Sequence, residues 1–181
     1  KHTSELIIRK SLTDYPNTSY VMLRPALVFG PGEEGSFYGP SGFMKAAVKS
    51  PLTMIATDSI IENGKGHPRT AGSYTKVLGE HVRENGDLDL MSALSKMTIM
   101  PAKRLQHRAP AFLNKGRIKQ GADADIVVFN PLTVKDQSTY TNPIKPPIGL
   151  NHVIVNGVPV VSNANLEEGA LPGKGIRAKI K

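Results

Sequence analysis

The chain has no cysteine and no tryptophan among its 181 residues. The first absence excludes disulfides and thiolate metal sites within these residues and permits a reducing compartment, so a cytoplasmic location is the expectation. With five Tyr and five Phe as its aromatic side chains, the sequence also has little from which to build base-stacking platforms. No apolar run approaches the ~20 residues that cross a bilayer, and no charged-then-apolar leader opens the chain. Its first residue is Lys1 where a start would be Met, which points to a processed or truncated beginning.

The charge is present but unevenly signed. Twenty-three Lys and Arg against 15 Asp and Glu leave a formal +8. The cations are scattered, apart from Lys174, Arg177, Lys179 and Lys181 at the tail. This distribution suits a solvated surface that favours small anionic substrates, and neither nucleic acid nor a membrane is expected as a partner. An apolar fraction of 39% and a charged fraction of 21% are globular values.

Periodicity divides the chain. Leu6, Ile7, Ile8 and Leu12 fit a helix over 4–13. Residues 19–29 read as a strand that Pro25 confines to an edge, followed by a loop at Gly30-Pro31-Gly32. A helix is expected over 41–50. Residues 52–57, Leu-Thr-Met-Ile-Ala-Thr, read as a short strand buried on both faces of a parallel sheet, with Asp58 at its end. A polar loop containing Asn63, Gly64 and Gly66 leads to His67-Pro68-Arg69. Tyr74, Val77, Leu78, His81 and Val82 recur at three- and four-residue spacing, so a helix is expected over 71–84. Leu90, Met91, Leu94 and Met97 give a second over 88–98, and Pro101 can open a third that runs through Leu105.

After Arg117 the pattern turns strand-like. Residues 116–129 form a glycine-punctuated turn feeding the apolar run Ile126-Val127-Val128-Phe129. Residues 152–161 are two apolar runs split by Asn156-Gly157, the strongest short-range hairpin signal. Pro143, Pro146 and Pro147 stiffen an extended connector over 140–149. A domain boundary is expected near residues 107–120.

By placement alone, Asp58 is the residue of interest. A carboxylate at the C-terminal end of a strand can bind a divalent cation or take a proton, although an Asp there also serves as a turn former or helix cap. His67 can ligate a metal or simply bond to backbone. Arg69 offers a planar fork suited to a carboxylate, or an ordinary ion pair. No His-x-His occurs, and His2, His81, His107 and His152 have no ligand spacing with one another; His81 reads as a helix-face residue and His152 as a strand-flank residue.

Six words in order carry a resemblance across residues 40–181. They are Met54-Ile55-Ala56-Thr57-Asp58, Gly66-His67-Pro68-Arg69, Lys76-Val77-Leu78-Gly79, Lys96-Met97-Thr98 with Pro101-Ala102-Lys103-Arg104-Leu105, and the two C-terminal segments at 116–129 and 152–161. Together they resemble the C-terminal part of the N-acyl-D-amino-acid deacylase (D-aminoacylase) group of the amidohydrolase superfamily. The resemblance implies an α/β fold: the last strand and closing helices of a β/α (TIM-type) barrel in residues 1–112, then part of a small β-sandwich in 113–181. It implies metal-dependent hydrolysis of an N-acyl amino acid, with a divalent metal, zinc first among candidates. Asp58 matches the family's catalytic carboxylate at the metal; the residue after it, usually Gly in the family, is Ser59 here. His67 and Arg69 fall on the loop beyond, in substrate-binding positions. The other ligands belong to earlier barrel strands, so the remainder of a barrel is an implied partner, and a second copy of the chain is a further candidate. Two rival readings remain: a non-catalytic interaction module, and a nicotinamide-dependent oxidoreductase. The second rests on Lys1, Glu5 and Arg24-Pro25 through Gly30-Pro31-Gly32, which resemble a word of the extended short-chain dehydrogenases.

Overall fold

Helix, hairpin and meander succeed one another along the computed structural model, which describes residues 40–178. The helix expected over 4–13, the strand over 19–29 and the dehydrogenase-like word lie outside those residues. Two units are resolved by contacts, Lys1–Met54 and Ile55–Lys181.

In the first unit, α1 spans Pro40–Lys49. Its end is fixed locally: Ser50 N–H donates to the Ala46 carbonyl at 3.0 Å, and the Thr53 hydroxyl reaches the Ser50 carbonyl at 3.1 Å.

The second unit begins at Ile55. Residues 52–57 do not form a strand, and no ladder partner for them exists among the described residues. The Ile55 amide instead donates to the Lys96 carbonyl at 3.1 Å. An apolar run reads as a strand only where a neighbour supplies the other half of each hydrogen bond, and sequence pattern cannot supply one. The polar loop that follows is more ordered than expected. Asn63 and Gly64 adopt φ of 51° and 74°, folding β1 (Ile61–Glu62) onto β2 (Lys65–Gly66) as an antiparallel hairpin.

The next helix begins at Arg69 and changes character midway. α2 covers Arg69–Lys76; the chain then continues as a π-helix over Val77–Glu84, ending with the Asn85 amide on the Glu80 carbonyl five residues back at 2.8 Å. The wider winding buries three consecutive residues, Val77, Leu78 and Gly79, where an ordinary α-helix presents residues to the core only at wider spacing. α3 (Leu90–Met97) starts at an Asp89 cap, whose carboxylate accepts the Ser92 amide at 2.9 Å. The Ser92 hydroxyl and amide hold the Asp89 carboxyl below its ordinary pKa. α4 (Ile99–Leu105) starts two residues before the expected Pro101, which its first turn tolerates because the missing N–H would have no partner there.

Four strands complete the unit in the sequential antiparallel order β3 (Ile126–Phe129), β4 (Leu150–Val155), β5 (Val158–Ser162) and β6 (Asn165–Leu166). Asn156 and Gly157 form the expected turn with φ of 50° and 81°. It is docked from outside: Asp125 accepts the Asn156 amide at 2.7 Å, and Gly157 N–H reaches the Ala124 carbonyl at 3.0 Å. Lys115 holds the same loop through Asp123 at 2.9 Å and through Asp125, pairing that lowers the Asp125 pKa and raises that of Lys115. Of the expected sandwich, one sheet is present among the described residues. The expected connector over 140–149 is turn-rich, and Ile148 pairs with Lys135 through hydrogen bonds of 3.0 and 3.1 Å.

The core joins helices to sheet. Val77, Leu78, Ala93 and Val134 are buried together, with Leu90, Leu94, Phe129 and Leu150 packed against them. Val134 is fully enclosed. Its backbone is gripped as well: the Arg83 guanidinium donates to the Val134 carbonyl at 2.6 Å, and Gly79 admits that carbonyl where a Cβ would stand 2.9 Å away. Gly149 passes on the other side with φ of 78°, and a Cβ there would lie 2.5 Å from the Val134 backbone. Both faults of a substitution add at this position. The left-handed backbone disfavours any side chain, and the atoms in the way are main chain that cannot rotate aside. Gly149→Ala is therefore expected to destabilise the fold by about 2–4 kcal/mol. Chemical denaturation of the two proteins measures it, and a loss below ~1 kcal/mol would show that the β3–β4 connection can shift away from Val134.

Candidate active site

Asp58 stands exposed in left-handed backbone, with φ of 45°. Few residues with a side chain accept that backbone, and Asp is one of them. The segment around it is tied to the first turn of α2. Thr57 donates its hydroxyl proton to the Arg69 carbonyl at 2.6 Å, and Ser73 reaches the same carbonyl at 2.8 Å. The Ser59 and Thr70 hydroxyls are bonded to each other. Arg69 completes the tie by donating from Nε to the Asp58 carbonyl at 3.0 Å. These contacts fix the main chain and leave the carboxylate itself without a hydrogen bond or ion pair among the described residues.

His67 lies two residues before Arg69. Its Nδ1 lies 3.1 Å from the Arg69 amide, and its Nε2 lies 3.1 Å from the Tyr140 hydroxyl. The two rings meet edge to face, with centroids 5.1 Å apart and planes at 74°. Burial, followed by the positive charges of Arg69 and Lys76, holds the imidazole below its ordinary pKa. It is thus a neutral ring bonded on both sides, which uses the groups a metal would need.

The three residues singled out from sequence therefore converge, with different tasks. Asp58 presents a free carboxylate. Arg69 uses Nε on backbone and keeps its two Nη groups without hydrogen bonds among the described residues. His67 braces the loop. Sequence reading missed Thr57, Ser73, Tyr140 and Ser138, whose hydroxyl donates to the Pro68 carbonyl; hydroxyl side chains carry no spacing signal, and Tyr140 is 73 residues from His67. His81, expected on a helix face, forms a largely enclosed pair with Asp87 at 3.0 Å.

No three His, Asp or Glu side chains come together among the described residues. Asp58 can give one carboxylate, whereas a stable divalent site takes three or more protein ligands. The described residues therefore do not hold a metal by themselves. A lone carboxylate beside a partly engaged guanidinium can accept a proton and can meet an anionic group.

Comparison with known proteins gives this geometry its context. A family model described as the amidohydrolase family matches residues 36–161. The chain is 40% identical over 111 residues to an N-acyl-D-glutamate deacylase of Alcaligenes xylosoxydans xylosoxydans, covering 61% of this chain and 22% of that one. It is 37% identical over 108 residues to a D-aminoacylase of the same organism, covering 60% and 21%. Among solved structures, a D-aminoacylase said to define a novel subset of amidohydrolases aligns with a TM-score of 0.63 and 30% identity, covering 71% of this chain and 26% of that one. The N-acyl-D-glutamate deacylase of Bordetella bronchiseptica, solved with zinc and a phosphonate mimic of the tetrahedral intermediate, aligns with a TM-score of 0.60 and 36% identity, covering 66% and 24%. The chain spans about a fifth of the length of the curated relatives it matches. It belongs to the amidohydrolase family and, within it, to the D-aminoacylase group.

Proposed function

We propose that this chain serves in a metal-dependent deacylase of N-acyl-D-amino acids, contributing Asp58 as the catalytic carboxylate. The observation that carries this reading is the setting of Asp58. Its left-handed backbone and its neighbours Thr57 and Ser59 are tied to the start of α2 while its carboxylate is left exposed and unengaged, in a chain whose relatives are deacylases. Residues 1–112 would then belong to the end of a β/α barrel, with 52–57 as a strand once a neighbouring strand lies beside it, and 113–181 to a β-sandwich whose second layer comes from elsewhere in the enzyme. The divalent metal, proposed to be zinc, would be held mostly by groups outside this chain, with Asp58 as one ligand.

The chemistry asked of these residues is modest. Water adds to the acyl carbonyl carbon, and the Asp58 carboxylate takes its proton. The same proton then passes to the amine nitrogen as the C–N bond breaks, giving a carboxylic acid and a free amino acid. Arg69 would meet the amino acid's carboxylate through Nη1 and Nη2, the part of its fork not engaged with the Asp58 carbonyl. His67 lies beside the substrate position and supports Arg69.

In the complete enzyme, Asp58→Asn keeps the side-chain volume and removes the base. Turnover of N-acetyl-D-amino acids in the presence of zinc is expected to fall by about 10²–10⁴-fold. Circular dichroism should be unchanged, and a near-normal kcat would take Asp58 out of the reaction.

Arg69 is tested by substrate charge. Charge-assisted bonds contribute roughly 1.5–3 kcal/mol, so Arg69→Ala should raise KM about tenfold or more for the free carboxylate, and by much less for its neutral amide analogue. Arg69→Lys keeps the charge without the fork and should recover only part of the loss. Equal weakening of both substrates would show that Arg69 supports the loop without touching the carboxylate.

A further inference from the structure

Residues 136–140 cross the start of α2 and touch it at three points. The Asp136 carboxylate lies against Gly72, where any Cβ would collide with it. The Ser138 hydroxyl reaches the Pro68 carbonyl at 2.9 Å, and the Tyr140 hydroxyl meets His67 Nε2 at 3.1 Å. Asp136 also accepts the Ser138 amide at 2.8 Å, so this crossing segment is itself braced.

Hydrogen-bond direction can be assigned along the contact. The Arg69 amide can only donate, so His67 Nδ1 accepts. A neutral imidazole with a lone pair on Nδ1 carries its proton on Nε2, which then donates to the Tyr140 oxygen. Arg69 in turn donates from Nε to the Asp58 carbonyl. The order is Tyr140, His67, Arg69, Asp58, and each member fixes the next.

We propose that Tyr140 is a positioning residue which, acting through His67, sets Arg69 and the backbone of Asp58 in their working geometry. Its hydroxyl accepts the Nε2 proton and so holds the ring in the orientation in which Nδ1 accepts the Arg69 amide. Without that partner, the ring is free to turn, and the Arg69 amide loses its acceptor. Tyr140 is 60% exposed, so its ring adds little to the core and removing the hydroxyl alone should leave the fold standing. The catalytic consequence rests on the deacylase reading; the tautomer and the Arg69 bond do not.

Two measurements separate these parts. In the 181-residue chain, ¹⁵N shifts of the His67 imidazole are expected to report the proton on Nε2. Tyr140→Phe should make the Arg69 amide exchange with solvent roughly threefold to tenfold faster, the loss of one ordinary hydrogen bond. His67→Asn keeps an acceptor near the Nδ1 position but cannot reach Tyr140; in that background Tyr140→Phe should change Arg69 exchange no further. In the complete enzyme, Tyr140→Phe should lower kcat/KM by about threefold to tenfold, and this effect should vanish in an Arg69→Ala background, because the influence runs through Arg69. A proton on Nδ1, or unchanged Arg69 exchange in Tyr140→Phe, would overturn the contact order. Independent, multiplying losses in the double variant would overturn the positioning role and make Tyr140 a general support. An enzyme without deacylase activity whose His67 and Arg69 signals behave as expected would overturn the catalytic role together with the proposed function, and leave the contact order standing.

Discussion

Arg69 is used four times over, and the geometry around Asp58 depends on it. Its amide donates to His67, its carbonyl accepts from Thr57 and Ser73, and its Nε donates to the Asp58 carbonyl. As the first residue of α2 it has an amide with no partner inside the helix, so the His67 ring supplies an acceptor that the helix cannot. One residue thereby joins a helix start, a histidine and the left-handed backbone at Asp58. Its Nη groups carry no hydrogen bond among the described residues. A lysine could supply the charge but not the simultaneous bond to the Asp58 backbone.

The support beneath this constellation comes from close backbone approach as much as from apolar area. Val134 is enclosed between the π-helical turn and β4, and glycines admit the main chain on both sides. The π-helix suits this role because it presents Val77, Leu78 and Gly79 to the core in succession, with Arg83 then capping the Val134 carbonyl. From Val134 the chain runs through Lys135 directly into the segment that carries Ser138 and Tyr140. The core contact and the contact on α2 are thus only a few residues apart, which couples packing of the sheet region to the loop bearing Asp58.

The family relation and the geometry answer different questions. Family membership follows from a match over residues 36–161 and from relatives at 36–40% identity, yet the chain accounts for only about a fifth of those relatives' length. A carboxylate without convergent ligands is therefore what this stretch presents. The exposed Asp58 carboxylate and the unengaged Arg69 Nη groups are what the proposed reaction would draw on, and the hydroxyl ties behind them are present in this chain.

How much was legible in the sequence divides along physical lines. Turn chemistry is local, so Asn156-Gly157 announces its hairpin, whereas the same dipeptide at Asn63-Gly64 closes strands of two residues each, too short to carry an alternating pattern. Helical periodicity placed α1, α2 and α3, since burial of one face repeats along the chain. Motif order brought out Asp58, His67 and Arg69 and the family. Pairing was decided elsewhere: residues 52–57 have strand composition and no ladder, because a strand is a property of two segments. The left-handed backbone at Asp58, the widening of the second helix and the meeting of Tyr140 with His67 were likewise settled by tertiary structure. Sequence by itself determined which residues could do chemistry and which turns would close, because those preferences are written over a few neighbouring positions. Only the folded chain decided which of them would touch, because a hydrogen bond between residues 73 positions apart exists only once packing has brought both ends together.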